Sequence, residues 1–158
     1  MTDVIPLLGL RARRGCLRKP SAAAWFARGH AAEIAGDVVR ARHAYGRSVA
    51  TDPLHRESNT NLGRLLHADG DAVAAEGYYR MALLGHRREA SSWFNLGVAL
   101  HDQERHAEAI AAYEEAVTLD PALAGAHFNL ALLLDGRPDV GSQRAALRHL
   151  AAYRRLAR

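Results

Sequence analysis

The sequence predicts an all-α chain, an α-solenoid of four helix–turn–helix units stacked in series. Three observations carry this. Gly29, Gly63 and Gly97 recur at equal steps of about 34 residues, and Ala41, Ala75 and Ala109 and then Tyr45, Tyr79 and Tyr113 follow at the same step. Turn signals such as Gly36-Asp37, Gly70-Asp71 and Asp120-Pro121 fall between apolar stretches of helical period. Hydrophobic residues make up 49 % of the chain, much of it alanine, while aromatics are 6 %, which suits closely approaching helices better than a sheet sandwich.

Each unit has the same plan. The first spans about 22–55, with helices expected over 22–35 and 38–51 and Trp25 at the position that Trp93 holds in the third. The second spans 56–89, with helices near 56–69 and 72–84; it carries Asn59 where the first and third have tryptophan, and Gly85 with Arg87 where Asp-Pro ends the third. Gly85 is expected to stop its helix in a left-handed conformation. The third, 90–123, shows the pattern most completely in Trp93, Leu96, Gly97, Leu100, Ala109, Tyr113, Ala116 and Pro121. The fourth, 124–157, keeps the frame in Asn129, with Ala131 in place of the glycine. Its Ala146, Leu147 and Leu150 come three residues late against the strict period. An insertion in the turn, broken by Gly136, Pro138 and Gly141, is expected there.

The marks have physical reasons. Glycine removes a side chain where two helices meet, the alanine is the other side of that contact, and the tyrosine fills the space beside it. Asp37 and Asp71 are expected to cap their helices. At the end of the last helix, Arg154 takes the place held by Val49, Leu83 and Val117, which reads as a polar seal on the terminal unit.

These residues follow W-x2-L-G-x2-Y, then A-x3-F, then P, so the chain resembles the tetratricopeptide repeat family. The resemblance implies a right-handed superhelix whose concave face is lined by the first helix of each pair. It also implies a protein–protein interaction module that binds a peptide segment of a partner, with no enzymatic activity. The stretches FNLGVALHDQERHAEAIAAYEEAVTLDP, AHFNLALLL and ALRHLAAYRRLAR look like the repeats that follow a MerR-like DNA-binding domain in bacterial regulators, which implies a regulatory or sensor role as the alternative. That DNA-binding domain has no counterpart in this sequence. An accessory domain of an enzyme complex is the third possibility.

The family places the groove residues just before and after the tryptophan and glycine. Here they are Phe26, Asn61, Arg64, His67, Phe94, Asn95, His101, Asp102, Phe128 and Asn129. An asparagine amide offers a donor and an acceptor, so Asn61, Asn95 and Asn129 are placed to form a ladder along an extended peptide backbone. The repeats of O-linked N-acetylglucosamine transferase are similar in this respect. Alternatively, the asparagines are framework. The carboxylate clamp of chaperone-tail binders matches only at Asn61, since Phe26, His30, Ser91 and Asn95 stand at its other positions.

Net charge is +4, and Arg11, Arg13, Arg14, Arg18 and Lys19 against Asp3 put that excess into the first twenty residues. Such a leader reads as a solvated tail more readily than as a nucleic-acid arm. Its apolar residues Ile5, Leu7, Leu8 and Leu10 could cover the open face of the first helix or mediate self-association. Cys16 alone excludes an internal disulfide framework. There is no secretory leader pattern and no long apolar run, so a cytoplasmic chain without a membrane span is expected. Catalytic motifs are absent, and no cofactor is expected. The nine histidines, including His101 and His106, show no zinc spacing, so no metal site is expected.

Overall fold

The computed structural model describes residues 19–158; the expectations for the leader lie outside the described residues. Among the described residues, eight helices form four antiparallel pairs: α1 (Ala22–Ile34) with α2 (Val38–Thr51), α3 (Arg56–Ala68) with α4 (Ala72–Gly85), α5 (Ala90–Asp102) with α6 (His106–Leu119), and α7 (Ala124–Asp135) with α8 (Val140–Leu156). Each first helix also packs on the second helix of the pair before it, so the stack is continuous.

Three close approaches repeat along the stack. A Cβ added at Gly29 would lie 2.6 Å from the Tyr45 ring, one at Gly63 2.8 Å from Tyr79, and one at Gly97 2.6 Å from Tyr113. The tyrosine ring therefore occupies the volume that any side chain at the glycine needs. Ala41, Ala75 and Ala109 are fully buried alongside. In the fourth pair, Ala131 is accommodated where the glycine stood, with the branched but non-aromatic Leu150 in the tyrosine's place.

Turn chemistry follows the expectation in the first two pairs. Gly36 and Gly70 take positive φ of 75° and 88°. Asp37 accepts from the amide of Arg40 at 3.0 Å, and Asp71 from that of Ala74 at 2.9 Å. The third pair does this differently. Glu104 occupies the left-handed position at φ 59°, and Arg105 stands at the cap without a side-chain capping bond to the backbone of α6. Arg105 instead donates to the buried Glu76 of α4 at 2.7 Å and to Glu108 at 2.6 Å. Gln103 donates to Glu76 at 2.8 Å and Arg80 pairs with it at 2.6 Å. Burial pushes the Glu76 carboxyl upward, but the Gln103 and Arg105 bonds outweigh it and hold the group below the usual carboxylate range. The third turn thus trades capping for a tie to the preceding repeat.

Two expectations are corrected. Gly85 is not left-handed; it is the last residue of α4, and His86 is the cap at φ −144°. Its value is clearance, since a Cβ there would come 3.3 Å from the Leu54 carbonyl oxygen. The three additional residues of the fourth unit do not go into the turn, which has four residues against three elsewhere because α7 ends one residue early. They form an added first turn of α8, which runs 17 residues against 14 in α6. Asp139 makes this possible by accepting from the Ser142 amide at 2.7 Å, so the cap overrides Gly141.

The start of each later pair is tied to the loop before it by a side-chain N–H. Asn59 donates to the Pro53 carbonyl at 2.9 Å, Trp93 to that of Arg87 at 2.8 Å, and His127 Nε2 lies 3.1 Å from that of Pro121. Asparagine, tryptophan and histidine are equivalent here because each carries a donor of suitable reach. Buried Asn59 also donates to the His55 carbonyl at 3.0 Å, while its Oδ1 has no partner.

Candidate functional site: the face of the first helices

The first helices α1, α3, α5 and α7 present a common face, and side chains reach across it between successive repeats. Arg64 of α3 pairs with Glu33 of α1. One repeat further on, His67 Nε2 of α3 lies 2.7 Å from Asp102 Oδ2 of α5. Both contacts are partly exposed, so each is worth at most about 1 kcal/mol.

The asparagines sit on this face in an unequal way. Asn61 Nδ2 donates to the Tyr45 hydroxyl at 3.2 Å, and Asn129 Nδ2 to that of Tyr113 at 3.0 Å, each reaching back one repeat. Tyr45 in turn donates to Glu33 at 2.8 Å. Among the described residues, the side-chain oxygens of Asn61 and Asn129 accept no hydrogen bond, and the Asn95 amide makes none at all. The tyrosine hydroxyls respond to these surroundings. Burial, then the Glu33 hydrogen bond, pushes Tyr45 up to about 12, and burial lifts Tyr113 to about 12 against the Asn129 bond. Burial pushes Glu33 upward too, but Tyr45 and Arg64 together hold it below the ordinary carboxylate range.

The phenylalanines divide differently. Phe26 is half-buried, 5.9 Å from the Tyr45 ring and 5.6 Å from that of His55, at the seam with the second repeat. Phe94 is half-buried 5.9 Å from Tyr113, at the seam with α7. Phe128 is exposed, its ring tilted against that of Tyr153 at 5.2 Å. His101 is half-buried, edge-on to His106 at 5.5 Å. Among the described residues no three histidine, cysteine or acidic side chains gather closely enough to hold a metal. None of the described helices is long and apolar enough to cross a membrane.

Sequence reasoning missed Glu33, Tyr45 and Tyr113 as partners of the face. The 16-residue separations Tyr45–Asn61 and Tyr113–Asn129 were the available signal.

Antiparallel helix pairs stacked in register, with a polar face along their first members, define an α-solenoid repeat scaffold. Models of the tetratricopeptide repeat match residues 26–91 and 90–123, and the chain belongs to that family. Tetratricopeptide repeats are interaction scaffolds for other proteins. Over 89 residues the chain is 34 % identical to a peroxisomal targeting signal receptor from Eremothecium gossypii, covering 56 % of this chain and 15 % of that protein's length. Its fold is similar to that of MamA from Desulfovibrio magneticus, with TM-score 0.74, 22 % identity, and coverage of 88 % of this chain and 77 % of the other. It is also similar to the O-GlcNAc transferase of Thermobaculum terrenum, with TM-score 0.71, 28 % identity, and coverage of 85 % and 26 %.

Proposed function

We propose that the chain binds an extended peptide segment of a partner protein along the face of α1, α3, α5 and α7. The observation that carries this is the state of the asparagine amides. Asn61 and Asn129 have their nitrogens held by tyrosine hydroxyls, while their oxygens are unengaged. A fixed amide with a free acceptor is pre-oriented for a peptide N–H and costs little side-chain entropy on binding. Asn95, whose side chain makes no hydrogen bond among the described residues, can use both halves of its amide. Backbone-directed contacts of this kind give affinity with little demand on ligand sequence. Glu33, Arg64 and Asp102 supply charges of both signs for ligand side chains. Likeness to a targeting-signal receptor over 89 residues also supports a peptide ligand.

The test selects unstructured peptides from a displayed library on the full chain. It then measures their affinity for the triple variant Asn61→Ala, Asn95→Ala, Asn129→Ala. Weakening of about tenfold or more per lost pair of backbone bonds is expected, with helicity retained. Wild-type affinity in the triple variant would remove the asparagines from the reading.

A further inference from the structure

The outer face of the fourth repeat has the surface of a helix acceptor. Within the stack, the first helix of a repeat packs on the second helix of the repeat before it: α7 packs on α6, in one cluster with Tyr113, and the Phe94 ring of α5 reaches the α7 backbone at Gly125. The same positions in α7 and α8 are uncovered by any described element. Ile110 of α6 is 6 % exposed, but its counterpart Leu147 is 67 % exposed; Leu132 is 54 % and Phe128 44 % exposed. Together with Ala131, Leu150 and Ala146 they line one continuous hollow. Arg154 seals this face less than the sequence suggests. It lies at the rim with Arg155 and Arg158, beside Leu147, Leu150 and Ala151.

The charges of the rim select the occupant. Where Val117 meets the start of α7, the fourth repeat offers Arg154. An incoming apolar helix start loses there, and an acidic one gains. A helix lying as α7 lies on α6 brings its N-terminus to the α8 C-terminus, where acidic side chains suit the dipole of the incoming helix while Arg154 and Arg155 suit that of α8. Asp135, at the far end of the hollow, disfavours acid in the last turn. A second copy fits poorly. Its free first helix α1 has no acid in its first turn and follows Lys19, so head-to-tail stacking sets cation against cation. Face-to-face pairing with the α8 helices parallel would oppose the arginines to one another. The chain's own leader carries four arginines and Lys19, and is repelled by the same rim.

We propose that this face docks an amphipathic helix of a partner protein that carries Asp or Glu in its first turn and an apolar stripe at helical spacing. The experiment uses the full chain and fluorescence anisotropy with a labelled helical probe of about 14 residues, acidic in its first turn, with leucines at three- and four-residue spacing. One control probe replaces the acids by lysine, and another replaces the leucines by serine. The acidic probe should bind about tenfold or more tighter than either control. Leu147→Asp, a change at an exposed position that leaves the core untouched, should weaken it by a similar factor. The charge reversal Arg154→Glu, Arg155→Glu should turn the preference toward the lysine probe. The asparagine triple variant should bind this probe as the wild type does, which separates the two surfaces.

Equal binding of acidic and lysine probes overturns the proposal, as does indifference to Leu147→Asp. Probe binding that appears only after removal of residues 1–18 assigns the face to the leader and overturns it too. So does a dimer in sedimentation velocity that Leu147→Asp dissociates while the probe fails to bind.

Discussion

The indole N–H of Trp93 donates to the carbonyl of Arg87 at 2.8 Å, six residues back, and Asn59 holds the carbonyl of Pro53 at the same offset. The tryptophan position of these repeats therefore has two roles, to fill space and to pin the incoming loop. Asn59 keeps the second while giving up much of the first. Its buried amide nitrogen faces two carbonyl oxygens, of Pro53 and of His55.

Asn59→Asp should therefore be severe. It replaces the donor with an acceptor facing two carbonyls in a buried site, and a loss of about 3 kcal/mol is expected. Asn59→His keeps an N–H of the kind that His127 uses and should cost about 1 kcal/mol. Urea unfolding of both variants checks the order; equal losses would mean that the tie contributes nothing specific.

The glycine–tyrosine contact makes a second demand. A Cβ at Gly97 would lie 2.6 Å from two ring carbons of Tyr113, and that ring is fully buried, so it cannot step aside. Gly97→Ala gains helix propensity of about 1 kcal/mol yet should destabilise by about 2 kcal/mol through overpacking. Tyr113→Leu empties the same space. The double variant reproduces the Ala131 and Leu150 combination of the fourth repeat, and should be at least about 1 kcal/mol more stable than the sum of the two single losses. Strict additivity in thermal or denaturant unfolding would contradict the contact.

How much of this was legible follows from what the sequence can encode. The period of glycine, alanine and tyrosine is visible because each residue is chemically specific to a tight contact, so the pairing of helices is readable directly. The loop tie is hidden because Asn59, Trp93 and His127 share only an N–H. The added turn of α8 is hidden because Gly136, Pro138 and Gly141 signal a break, whereas the Asp139 cap decides where the helix starts. Of the candidate site, the asparagines are placed on the face of the first helices. What periodicity could not tell is that two of them have their donors engaged, or that Phe26 and Phe94 lie at seams between repeats. Both depend on the neighbouring repeat's tyrosine.

Glu104 is the one described residue other than glycine with positive φ, at 59°, where the first two repeats use Gly36 and Gly70. A side chain in this region is strained. Glu104→Gly should stabilise the chain by about 0.5–1 kcal/mol, the relief of strain exceeding the added freedom of the unfolded chain. A decrease in the urea midpoint would show that the left-handed position carries no strain here.

The pair His127–His149 joins α7 to α8, with the two Nδ1 atoms 2.9 Å apart. The geometry is satisfied when both rings are neutral: His127 gives its Nε2 proton to the Pro121 carbonyl, and its Nδ1 accepts the Nδ1 proton of His149. Burial first, then the proximity of His127 and Arg148, holds His149 below its ordinary value of 6.5. A histidine kept neutral by the fold binds fewer protons folded than unfolded. Its contribution to stability is complete above pH 6.5 and is lost as the pH falls below that value toward the lowered folded pKa. The melting temperature should therefore decline on acidification from pH 6.5, well above the range in which Glu33 and Glu76 titrate. His149→Gln retains an amide donor for His127 and carries no titrating group, so it should flatten that part of the profile. A wild-type profile and a variant profile that fall in parallel would place the acid sensitivity elsewhere in the molecule.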